Sequence, residues 1–137
     1  MTIDAPPAEA VRRPDDFDFS PWLFNHRADD SQRAAQASLQ QDLIAQHPQW
    51  DLGPEVFLSP LASLQCERLV LGTRSYVAAH AYLTDDVEFG ADCTVNAFTV
   101  VRGRIRGGSG VRIGAHTSIL AFNHSMEPDR PVFRQPL

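Results

Sequence analysis

Between Leu71 and Ile119 the residues at every sixth position are Leu71, Val77, Leu83, Phe89, Val95, Val101, Gly107, Ile113 and Ile119, and only Gly107 interrupts the apolar row. A second row runs four positions behind it: Ser75, Ala81, Val87, Cys93, Thr99, Ile105, Val111 and Thr117, small or β-branched throughout. A helix repeats its apolar positions near every 3.6 residues and a half-buried strand near every 2. A strict period of six belongs to neither, and marks a solenoid of very short strands, the parallel β-helix. Each six-residue unit supplies one strand and one corner. Its first residue points inward, and its small fifth residue lets the chain turn within a narrow interior. Gly72, Gly90 and Gly114 directly follow inward residues, which suits corners needing close approach or unusual backbone angles.

Three such units close one triangular coil. The faces then begin at 71, 89 and 107, at 77, 95 and 113, and at 83, 101 and 119. The coils occupy residues 69–124 and number three, about the minimum for a stable stack. Residues 1–16 lack periodicity and are rich in Pro, Ala and acidic side chains, so a disordered leader is expected there. Residues 17–68 hold an aromatic cluster (Phe17, Phe19, Trp22, Leu23, Phe24), a helix and a connector. The helix is capped by Asp30 or Ser31, carries Ala35, Leu39 and Leu43 at spacing four, and is stopped by Pro48. It can cap one end of the stack, as a solenoid requires. Residues 125–137 form a Pro-containing loop without another hexad, and the expectation is that it leads into further C-terminal coils.

The net charge of −5 argues against a general nucleic-acid binder, whose phosphate contacts need clustered cations. No apolar run approaches the roughly 20 residues that span a bilayer, and no secretory signal opens the chain. Cys66 and Cys93 have neither disulfide-framework nor zinc spacing, and Cys93 falls in the small-residue row as a packed thiol. A cytoplasmic, reducing location is expected.

The hexads, with Val95-Asn96, Ile113-Gly114-Ala115-His116-Thr117 and Asn123-His124-Ser125, resemble the hexapeptide-repeat acyltransferases, nearest the maltose, galactoside and nodulation-factor O-acetyltransferase branch. The resemblance implies an all-β, left-handed parallel β-helix, preceded here by the helical segment, that works as a homotrimer. It implies acetyl-CoA as donor and an acceptor hydroxyl or amine, with clefts between subunits. A His that closes a coil before a protruding loop is that family's general base, and an Asn nearly two coils upstream holds the acceptor. These roles fall on His124 and Asn96. Where several relatives carry acidic residues for sugar hydroxyls, this chain has Arg102-Gly103-Arg104-Ile105-Arg106.

Acyl transfer from a thioester to a hydroxyl needs a base, because a neutral alcohol is a poor nucleophile. Imidazole titrates near working pH and suits His124 to the task. Direct transfer leaves Cys66 and Ser125 without a nucleophilic role. By hexad phase Asn96 and His124 lie on different edges of the prism, so two adjacent subunits are needed to unite them. Arg102, Arg104 and Arg106 alternate along one strand, either as a charged exposed strip or as a site for CoA phosphates or an anionic acceptor. Arg102 and Arg104 are taken as substrate-binding candidates, with Arg130 and Arg134 weaker ones. Glu127 and Asp129 are possible orienters of His124. His80 and His116 share a phase two coils apart, about 9.6 Å. That raises a second class, a γ-carbonic-anhydrase-like zinc enzyme with histidines between subunits. A third is a non-catalytic trimeric scaffold. His26 and His47 precede the coils and read as surface residues.

Overall fold

The computed structural model describes residues 16–136, so the expected leader, Asp16 excepted, lies outside the described residues. After a 3₁₀ turn at Pro21–Leu23 come α1 (Phe24–Arg27) and α2 (Asp30–Gln46). Nine strands follow: β1 (Asp51–Leu52), β2 (Phe57–Leu58), β3 (Ser63–Leu71), β4 (Tyr76–Val77), β5 (Tyr82–Phe89), β6 (Thr94–Val95), β7 (Val100–Arg106), β8 (Arg112–Ile113) and β9 (Ser118–Ala121). They pair in parallel as two sheets, β1-β3-β5-β7-β9 and β2-β4-β6-β8, and wind a β-solenoid of about four turns. The three expected faces become two sheets because β3, β5 and β7 each run through one corner without a break.

The inward row forms the core. Leu71, Val77, Leu83, Phe89, Val95, Val101 and Ile113 are all buried, and the small row behind them contributes Ser75, Ala81, Val87, Cys93 and Thr99. Gly107 breaks the row for a steric reason. A Cβ there would lie 2.4 Å from Phe89 Cδ1, so the phenyl ring one coil below already fills the space. Gly72 and Gly90 are needed for close approach, because a Cβ on either would enter the next coil. Gly114 is not, since a Cβ there would meet only Thr117 Oγ1, at an ordinary contact distance of 3.9 Å.

The coils begin at Asp51 rather than Leu69, correcting the boundary drawn from the hexads. Leu52, Leu58 and Leu64 are themselves six apart, but the next inward residue, Leu71, falls seven further on. The extra residue is Glu67. Cys66 pairs with Asp85 and Arg68 with Asp86, so Glu67 has no partner and the register shifts around it. This β-bulge shifts the first coil out of phase with the rest. The segment expected as a connector is therefore the first coil.

Helix α2 closes the N-terminal end. Asp29 Oδ1 accepts from Gln32 N–H while Gln32 Oε1 accepts from Asp29 N–H, a complete capping box one residue ahead of the expected cap. From this helix the Gln36 amide both accepts from Leu58 N–H and donates to Leu58 C=O. Gln40 donates to Val56 C=O. These side chains satisfy backbone groups that an open edge would leave unpaired. Phe17 and Phe24 pack edge-on at 5.2 Å, and Phe24 meets Phe57 at 4.8 Å, so part of the aromatic cluster is buried on the outer side of the second sheet. No helix among the described residues is long and apolar enough to cross a membrane.

Candidate functional site

Corners in this solenoid place residues at φ near +60°, and side chains from successive coils stack there. One corner row is Glu55, Arg74, Asp92 and Gly110, and a second is His80, Phe98 and His116. The third holds Asp85 (φ 68°) and Gly103 (φ 101°), one above the other. Asp85 Oδ2 accepts from Gly103 N–H at 2.9 Å and from Thr84 Oγ1 at 2.5 Å, so the carboxylate stands in for the ladder bond that the corner interrupts. The Thr84 hydroxyl, the Gly103 amide and the charge of Arg102, in that order, hold the Asp85 carboxyl below the usual range.

At the top of this corner the chain leaves the solenoid through Ala121. Phe122 and His124 come to lie beside Asp85, Arg102 and Gly103, and these five residues line a cleft of about 270 Å³. Arg102 is held there by rings rather than by acids. Its guanidinium carbon lies 5.5 Å from the Phe122 centroid and 5.9 Å from that of Tyr82, and it forms no ion pair among the described residues. His124 is exposed at the rim, with its backbone N–H donating to Asn123 Oδ1. The cleft thus joins an imidazole, an unpaired guanidinium, an ionised carboxylate and an aromatic wall.

The arginine strip divides at Gly103. Arg102 faces the cleft, whereas Arg106 binds Asp86 at 2.6 Å and approaches Glu88 at 3.4 Å. Arg104 lies 3.8 Å from Asp86 with its side chain largely exposed. Arg68 reaches the same two carboxylates from the coil below, at 3.2 and 2.8 Å. The lateral register Arg68↔Asp86↔Arg104 makes this an ion-pair ladder across three coils. The corner, not visible in the alternation of residues, removes Arg102 from it.

Asn96 is not in the cleft. Its Nδ2 donates to Ile113 C=O one coil above at 2.8 Å, which commits half of the amide to the stack and leaves its oxygen as an acceptor. Within one chain Asn96 and His124 stay on separate edges. The terminal loop is closed on itself. Gln135 is buried, its Oε1 accepts from Glu127 N–H, and its Nε2 donates to the carbonyls of Glu127 and Arg130. Glu127 pairs with Arg130 at 3.0 Å, so it does not orient His124. Asp85 and Phe122 are the cleft residues that the sequence reading missed. The available signal was the 18-residue step from Asp85 to Gly103, once Gly103 is placed at a corner.

His80 and His116 are not brought together, because the Phe98 ring stacks between them at 5.1 and 4.9 Å. Among the described residues no group of three His, Cys, Asp or Glu side chains can hold a metal ion. Burial, followed by the charges of Asp85 and Asp86, pushes the Cys66 thiol up to about 12, which leaves it protonated and inert. No family model, curated protein or solved structure matches this chain.

Proposed function

We propose that this protein is an acetyl-CoA-dependent acyltransferase acting on a hydroxyl or amine of a small acceptor, with His124 as general base. The observation that carries the reading is that His124 shares a cleft with Arg102, a guanidinium that no carboxylate hydrogen-bonds. In the reaction a ring nitrogen of His124 takes the acceptor's proton as the acceptor atom bonds to the thioester carbonyl carbon. The tetrahedral intermediate then expels the CoA sulfur, which leaves as thiolate and is protonated. Arg102 supplies a fixed positive charge for an anionic group on donor or acceptor. Arg104, exposed and only loosely paired, offers a second charge on the adjoining face.

A cleft of about 270 Å³ holds the reacting end of one substrate and not the body of CoA. The donor therefore needs a further surface, and a neighbouring subunit of a homotrimer is the one proposed, contributing Asn96 to hold the acceptor. The His80–Phe98–His116 stack favours a structural role for those rings over a zinc centre within one chain.

The test is release of free CoA thiol from acetyl-CoA over a panel of alcohols and amines, with oligomeric mass followed by sedimentation. His124→Ala is expected to lower turnover by about 10²–10⁴, the usual contribution of a positioned base, with mass unchanged. Wild-type turnover by that variant overturns the base assignment. A well-folded protein that neither binds nor turns over acetyl-CoA overturns the enzymatic reading in favour of a scaffold.

A further inference from the structure

A second cleft, of about 310 Å³, lies at the opposite end of the stack, between the α1 segment and the corner of the first coils. This is within the size range of small-molecule sites. Trp22, Asn25 and His26 line it from the N-terminal segment, and Glu55, Arg74 and Tyr76 from the coils. The acyl-transfer chemistry proposed above uses none of them.

The charges in this cleft are unequal. Arg74 holds Asp92 with both fork nitrogens, Nε at 2.7 Å and Nη2 at 2.9 Å, which commits these donors to Asp92. The Glu55 carboxylate has no ion pair or hydrogen bond among the described residues. It lies within the field of the Arg74 guanidinium, but that guanidinium gives its hydrogen bonds to Asp92, so Glu55 is the carboxylate of the cleft without a direct partner among the described residues. Glu55 also stands at φ 59°, where glycine or asparagine would be less strained, and the last coil of this corner row has Gly110. The Asn25 amide donates to Glu55 C=O at 3.0 Å and pins that corner to α1, which leaves Asn25 Oδ1 as a further acceptor.

The Trp22 ring is equally unpartnered, whereas Tyr76 packs against the Phe17, Phe24 and Phe57 cluster. Trp22 is 50 % exposed and its ring stacks on no other ring or cation among the described residues. The other tryptophan, Trp50, is buried and its Nε1–H donates to Cys66 C=O at 3.0 Å.

The geometry points to a binding site for a small organic cation, an alkyl- or quaternary ammonium group held between the Trp22 ring and the Glu55 carboxylate with Tyr76 as side wall. A cation over an indole face is attracted by the ring quadrupole, and the attraction strengthens as water is excluded. An anionic ligand meets Glu55 with like charge and finds the guanidinium already taken by Asp92. This inference does not rest on the acyltransferase reading.

The test uses the two indoles as internal probe and control. Choline is titrated into the ¹⁵N-labelled protein at constant ionic strength, and so is 3,3-dimethylbutan-1-ol, its uncharged isostere. Choline is expected to move the Trp22 Nε1–H resonance saturably and to leave Trp50 in place. The alcohol should bind at least about tenfold more weakly, and Glu55→Gln should weaken choline by about tenfold, ~1.4 kcal/mol. Arg102→Gln should leave the titration unchanged. Equal responses to choline and the alcohol overturn the proposal, as does full choline affinity in Glu55→Gln or the absence of a saturable shift. A Trp22 response to methyl glucoside without one to choline also overturns it and assigns the cleft to a neutral hydroxylated ring. The isostere comparison needs only the wild-type protein, so it stands whether or not the variant folds.

Discussion

Replacing Gly72 with Ala tests the closeness of the coils at one point. The new Cβ would lie 2.4 Å from Gly90 C, 2.5 Å from Ala91 N and 2.6 Å from Gly90 O. Carbon–carbon contacts settle near 3.5–4.0 Å, so the two corners must part by about 1 Å. Every clashing atom is backbone, and no rotamer change relieves it. Overpacking of this kind costs about 1–3 kcal/mol. Alanine's smaller unfolded-state entropy offsets ~0.4–1 kcal/mol. The net loss is on the order of 1 kcal/mol, which for a domain of this size lowers the melting temperature by about 3–6 °C. Gly108→Ala is the matched control, because Gly108 ends the same row of glycines and a Cβ there meets nothing within 4 Å. It should be neutral or stabilising by up to ~1 kcal/mol. Thermal and urea unfolding followed by circular dichroism measures both. If Gly72→Ala melts with wild type or with Gly108→Ala, the coils do not approach at this corner as described.

Asp85, Asp86 and Asp92 are each held below the usual carboxylate range, Asp86 chiefly by Arg106 and Asp92 by Arg74. Because folding depresses these values, their stabilisation is complete at neutral pH and is lost as pH falls from about 4 through the native values. The urea midpoint should drop across that window, and less steeply in Asp86→Asn. The Cys66 thiol is raised to about 12, so the unfolded chain ionises first and stability should fall as pH rises above about 8.5. At pH 8 a thiol reagent should label Cys66 and Cys93, both buried, only after denaturant is added. Arg102→Gln should raise KM for an anionic substrate while changing kcat less than His124→Ala does; equal effects on kcat would make Arg102 part of the chemistry rather than of binding.

The solenoid was legible because its period is imposed by geometry on the inward side chains, and Leu71 to Val101 obey it without exception. The first coil was hidden by a single residue. Glu67 puts two residues, Cys66 and Glu67, at a corner that later coils turn with one, Asp85 or Gly103, at positive φ. Neither Cys66 nor Glu67 adopts positive φ, so the added residue replaces backbone strain and costs the repeat its phase. The division of the arginines was hidden for a related reason. Alternation places Arg102, Arg104 and Arg106 on one side of a straight strand, but β7 bends at Gly103. A bend inside a continuous strand leaves no break in the apolar row. The closed terminal loop depends on Gln135, whose amide makes three backbone bonds across sequence gaps that carry no periodic signal.

The location of the candidate site follows from the same stacking. Inside a solenoid each corner side chain has neighbours one coil below and one above, and it is satisfied by them. Arg74 and Asp92 pair, His80, Phe98 and His116 stack, and Arg68, Asp86 and Arg106 interlock. A side chain becomes available for a ligand where its row ends or where an inserted element replaces the next neighbour. Arg102 and His124 lie where β9 gives way to the terminal loop, and Arg102 rests on Phe122 instead of a carboxylate. Trp22 and Glu55 lie toward the other end, where α1 packs against the outer side of the first coils. Both groups of side chains without a stacked partner therefore lie toward the ends of the stack, where an added loop or helix stands beside the coils.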